Sequence, residues 1–69
     1  MTQREHIIES LCKGPITPMD ALLRFGCFRL AARIKELRYL GYSIRTERVQ
    51  EPARQYARYH LESVPTWLT

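Results

Sequence analysis

The chain holds only two cysteines, Cys12 and Cys27, and they form no pairing pattern, so no disulfide framework substitutes for a hydrophobic core. Free thiols in so small a protein fit a reducing compartment, and the cytoplasm is the expected location. No CxxC pair occurs, and His6 and His60 stand too far apart in sequence to organise a ligand set. The acids Glu5, Glu9 and Asp20 read as helix caps and a solvated face rather than as an acid–base pair. Neither an enzyme nor a metal or cofactor protein is expected, and no small-molecule substrate is implied. No run approaches the ~20 apolar residues that cross a bilayer, and Met1 to Glu5 lead into an amphipathic segment rather than a signal peptide. There is no repeat, low-complexity run or interdomain linker. At 69 residues the sequence is one small soluble domain, with room for a modest core.

What is present is arginine. Nine of the eleven basic residues are Arg, whose planar fork suits phosphates and guanine edges, and the formal net charge is +4. The charge is concentrated centrally. Arg24, Arg29, Arg33, Lys35, Arg38, Arg45 and Arg48 face only Glu36 and Glu47 across residues 24–48, whereas the flanking thirds are near neutral. Such a block either solvates a helix face or meets a polyanion.

Along the chain, Thr2 and Glu5 form a capping box for a helix with Ile7, Ile8, Leu11 and Cys12 on one face. Gly14 and Pro15 end it, and Ile16 falls in a very short extended piece. Thr17 caps a second helix, with Pro18 at its first position, Asp20 toward the dipole and Met19, Leu22 and Leu23 as its apolar face. Gly26 ends it. A third helix, Phe28 to Leu40, sets Leu30, Ile34 and Leu37 toward the core, with Ala31 and Leu40 beside them, and stops at a left-handed Gly41. The period then changes to two. Ile44 and Thr46, and later Ala57, Tyr59 and Leu61, alternate with polar residues as two strands. The connection Gln50 to Gln55 contains proline and no glycine, so its tip is expected to be long and mobile. Residues 62–69 form a tail in which Trp67 either folds back onto the core or stands out as an anchor.

Three helices, a short strand and a C-terminal two-stranded hairpin make an α+β domain in winged helix-turn-helix order over residues 1–61. On the third helix, Arg29, Ala32, Arg33 and Glu36 fall opposite the aliphatic positions by angular count. An α-helix fits the major groove. Arg29 and Arg33 are placed to grip guanine, Ala32 to touch a thymine methyl, and Glu36 to accept from cytosine or orient Arg33. Arg24 and Arg38 fit phosphates at the groove edges, and the amides beginning the second helix could face another. Arg45, Arg48, Arg54 and Arg58 would line the hairpin along the backbone or the adjacent minor groove. Five bases against Glu36 between Arg24 and Arg38 favour double-stranded DNA over a merely solvated helix. Tyr39, Tyr42, Tyr56 and Tyr59 among basic residues also admit stacking on unpaired bases, but core packing explains Tyr42 and Tyr59 more simply.

The stretch Thr17-Pro18, Asp20-Ala21-Leu22, Phe25-Gly26-Cys27-Phe28-Arg29-Leu30-Ala31-Ala32-Arg33-Ile34, Leu37-Arg38 and Gly41-Tyr42-Ser43-Ile44, closed by Tyr59-His60-Leu61, resembles a family of small phage and prophage winged helix-turn-helix domains. The resemblance spans about residues 7–61. It implies a winged-helix fold and transcriptional regulation in a phage or integrated element, with Arg29 and Arg33 on the recognition helix and Arg45 and Arg48 on the wing. Ile34 and Leu37 lie eight and eleven residues past Gly26, a longer turn than the compact helix-turn-helix pattern. Two further partners stay open. One is a second copy, since one small domain often needs a dimer for specificity. The other is a host protein, for which exposed Phe28, Tyr39 and Trp67 would serve as anchors.

Overall fold

A computed structural model describes residues 2–68; Met1 and Thr69, the outer ends of the expected domain and tail, lie outside the described residues. The elements run α1 (Gln3–Lys13), α2 (Pro18–Phe25), α3 (Leu30–Tyr39), β1 (Ser43–Glu51), β2 (Arg54–Ser63) and a 3-10 turn, Thr66–Leu68. The helix order and the hairpin agree with the sequence reading, giving an α+β fold.

The helix boundaries follow from local chemistry. Thr2 accepts from the Glu5 amide, and its hydroxyl lies 3.3 Å from the Glu5 carboxylate, so here the acid meets the hydroxyl rather than the expected backbone amide. Thr17 and Asp20 form the full reciprocal box. The Asp20 amide donates to the Thr17 hydroxyl and the Thr17 amide to the Asp20 carboxylate, satisfying two amides at the start of α2. Gly26 is left-handed, with φ 65°, which lets the chain turn sharply from α2 toward α3. At the end of α3, Gly41 has φ 107°, its amide donates to Arg38, and the Tyr42 amide reaches the Leu37 carbonyl. This pair of bonds is a Schellman closure, and it launches β1 directly from the helix.

The core gathers Ile7 and Leu11 of α1, Ile16, Ala21, Cys27, then Leu30, Ile34 and Leu37 of α3, with Tyr42, Ile44 and Tyr59 from the hairpin. Five inward assignments change. On α2 the buried side is Ala21, with Leu22 and Phe25 half-buried, whereas Met19 and Leu23 stack one turn apart on the outside. On α3, Ala31 and Leu40 are exposed, because the three aliphatic positions alone fill the contact. Thr46 is exposed as well.

β1 and β2 pair antiparallel from Ile44↔Leu61 to Glu51↔Arg54. The expected long tip is corrected: only Pro52 and Ala53 separate the strands. Among the described residues none other than glycine has positive φ, so this is not a primed hairpin turn; proline pre-sets the first central position instead. An isolated two-stranded ribbon is marginal. Its base is anchored by Ile16, whose amide and carbonyl both bond Tyr59, at 3.0 and 2.8 Å. Past Ala57, the last hairpin residue packed against the core, the ribbon projects as a wing, consistent with the elongated envelope of 41 × 22 × 20 Å. After β2, Pro65 is buried against Gly41, and the Trp67 indole donates to the Leu40 carbonyl at 3.1 Å. Trp67 thus both folds back and stays largely exposed, at the C-terminal end of α3.

Candidate nucleic-acid interface

α3 packs through Leu30, Ile34 and Leu37, and its opposite side is open. The most exposed ridge consists of Phe28, 85% exposed in the bend before the helix, then Ala31, Lys35 and Tyr39, 91% exposed. Ala31, Lys35 and Tyr39, each four residues apart, stack along one line of the helix, and Phe28 precedes them in the bend. Arg29 is the N-cap residue and is exposed. The helix begins two residues later than expected and has no side-chain cap.

The expectation that Ala32, Arg33 and Glu36 share the outermost face needs correction, since all three are half-buried. The N-terminal part of α1 lies against that flank: Arg4 stands 3.9 Å from Glu36 and lines a shallow groove with Ala32, Lys35, Glu36, Tyr39 and Leu40. Arg33 pairs with Glu36 at 3.0 Å, and its Nε is buried with no hydrogen bond among the described residues. The outward ridge is therefore displaced by one residue, from Ala32 and Glu36 to Ala31 and Lys35. Angular counting missed Lys35 and Ala31 because it divided the helix without knowing that α1 shelters one flank.

The other cations differ in how free they are. Arg38 does not project from a groove edge. Its Nε and Nη2 both donate to the Ile44 carbonyl, at 3.1 and 2.7 Å, and Nη2 also to the Thr46 hydroxyl at 2.8 Å. The guanidinium fork ties the end of α3 to the first strand of the wing. Arg24 donates to Ser10 and lies 4.0 Å from Asp20. On the wing, side chains of directly opposed residues share a face. One face continues the core side: Ile44 with Leu61, Thr46 with Tyr59, then Arg48 with Ala57. The other carries the charges. Arg45 meets Glu62 at 3.4 Å, Arg54 meets Glu51 at 2.8 Å while lying over the Tyr56 ring, and Glu47 receives Arg58 and His60. The His60 hydrogen bond, then Arg58, holds Glu47 below the usual carboxylate range, and Arg54 does the same for Glu51. Among the described residues Arg29, Lys35 and Arg48 form no ion pair. Free cations thus stand at the N-terminal end of α3, at its middle and on the inner face of the wing.

Cys12 is exposed and Cys27 buried, and no group of three metal-ligating side chains occurs among the described residues. No described helix is long and apolar enough to cross a membrane. The arrangement offers a protruding helix and a wing to an extended anionic partner.

A family model described as a winged helix-turn-helix domain matches residues 2–64, nearly the whole chain. No curated protein and no solved structure gives a significant match.

Proposed function

Since the chain belongs to the winged helix-turn-helix family, a family of DNA-binding modules, we propose that it recognises specific double-stranded sites as a transcriptional regulator. α3 lies in the major groove, entering with the Phe28–Ala31 end, and the wing follows the adjacent backbone or minor groove. The observation that carries this reading is the uncovered ridge of α3, which bears the unpaired Lys35 and begins beside the unpaired Arg29. Arg29 takes the guanine-reading role, and Arg48 contacts phosphate from the wing. Arg33 acts less as a free reader than as part of the Arg4–Glu36–Arg33 cluster that fixes the helix flank. A phage or prophage setting is supported by the resemblance of the Arg29 to Ile34 stretch. A second copy would supply the specificity that one small domain lacks.

The test is fluorescence anisotropy with random duplex DNA at two salt concentrations. Binding near the micromolar range at low salt, falling with a log–log slope of about −0.9 per phosphate contacted, supports the reading. Absence of binding even at low salt overturns it. That second outcome would favour a protein partner, for which one observation speaks: Tyr39, Leu40 and Trp67 leave exposed apolar surface together at the C-terminal end of α3.

A further inference from the structure

A helix reads the major groove with whatever side chains its exposed N-terminal end offers, and each base edge asks for a particular chemistry. Guanine takes a bidentate Arg or Lys, adenine an Asn or Gln, cytosine an Asp or Glu, and thymine an apolar contact with its methyl group. From Phe28 to Leu40 the chain contains no Asn or Gln at all, and no Ser or Thr. Its one acid, Glu36, is half-buried and engaged by Arg33 at 3.0 Å and Arg4 at 3.9 Å, so it is not free to accept from cytosine. Arg38 is held by the Ile44 carbonyl and Thr46. At the leading end there remain one free guanidinium, Arg29, and two apolar groups, the Phe28 ring and the Ala31 methyl.

We infer that α3 is built to read thymine methyl groups beside a single guanine, with Phe28 and Ala31 as the specificity-determining contacts. This rests on the DNA-binding reading above and names the sequence class that it would select. The geometry supports it in two ways. Phe28, in the bend just ahead of the helix, and Ala31, in its first turn, are both exposed at the leading end, so both are open to neighbouring base steps of the groove. Phe28 is also left 85% exposed, and the methyl-lined wall of a T-rich groove gives that ring an apolar surface to cover.

Uracil tests this directly, because it keeps every hydrogen-bonding group of thymine and lacks only the C5 methyl. Sites are selected from a random duplex pool, and the strongest are resynthesised with deoxyuridine replacing one thymidine at a time. The expected result is a selected site in which a G·C pair adjoins T·A pairs. One or two deoxyuridine positions there lower affinity about fourfold each, as loss of a contacted methyl predicts. The Phe28→Ala protein, whose folding is checked by urea unfolding, then binds the thymidine and deoxyuridine sites alike. Selected sites without thymine beside guanine, unchanged affinity with deoxyuridine, or equal sensitivity in Phe28→Ala would each overturn the inference while leaving DNA binding intact. Failure to enrich any site or to retain duplex at low salt would overturn both.

Discussion

On the wing, Arg45, Arg54 and Arg58 each face a glutamate within 3.4 Å, whereas at the leading end of α3 Arg29 stands in solvent without an ion pair. Both regions carry four basic side chains, and counted by sequence they look like equal contributors to a polyanion site. Structurally they are different devices. α3 is held from behind by Leu30, Ile34 and Leu37, so its front needs no internal partners. The wing keeps only the edge of the core, through Ala57, and its charges are turned toward one another across the strands. Surface pairs of this kind contribute little stability individually, but they order long side chains along the ribbon. The number of arginines therefore overstates the charge available to DNA, and what counts is which guanidinium groups lack an internal partner.

The largest expected effect lies behind α3. Ile34→Ala, at a fully buried position, should destabilise by about 2–5 kcal/mol. That approaches the whole stability of a domain this size, which rarely exceeds ~3–5 kcal/mol. Val49→Ala on the wing, paired with Tyr56 and half-buried, should cost under about 1 kcal/mol. Urea unfolding of both variants checks the contrast, and similar midpoints would erase the distinction between a packed helix and an unpacked ribbon.

Next comes the link between the two regions. Arg38→Ala removes the fork onto the Ile44 carbonyl and should cost about 1–2 kcal/mol, since the carbonyl loses a charged donor at a partly exposed site. Arg38→Lys should recover only part of this, because an ammonium cannot place two donors in one plane. An Arg38→Ala protein with unchanged stability but uniformly weaker DNA binding would instead return Arg38 to the phosphate role.

The smallest effect concerns acid. Glu47 and Glu51 have lowered pKa values, so what their pairs add is fully present above the ordinary carboxylate range and disappears as pH falls through the lowered values. Acidification from pH 7 toward 3 should loosen the wing around Val49 and Gln55 before the body around Ile34, as read by backbone 15N relaxation. Simultaneous loosening would show that the ion pairs add no order of their own.

Much of the fold was legible from punctuation and period. Gly14-Pro15, Thr17-Pro18, Gly26 and Gly41 mark helix ends through caps and left-handed turns, and the change to alternation at Ile44 marks the hairpin. The tight tip was not legible, because Pro52-Ala53 closes it without the glycine that marks most two-residue hairpins. Nor was the outer half of the wing, where pairs such as Glu47 with Arg58 stabilise only once register sets them opposite each other. At the site, Arg29 stands exposed as expected, while Glu36 is turned toward Arg4 of α1, Arg33 toward Glu36 and Arg38 toward β1. Those orientations depend on neighbours distant in sequence or across a turn, which a helical projection of one segment does not contain.

The most direct measurement compares the parent protein with Arg29→Ala and Arg45→Ala on a selected site and on random duplex at one salt concentration. Loss of a guanine contact should cost Arg29→Ala about tenfold or more on the selected site beyond its loss on random DNA. Arg45→Ala, already paired with Glu62, should change both affinities slightly and alike. A ratio of specific to random binding that survives Arg29→Ala, or that collapses in Arg45→Ala, would contradict the assignment of sequence reading to the exposed end of α3.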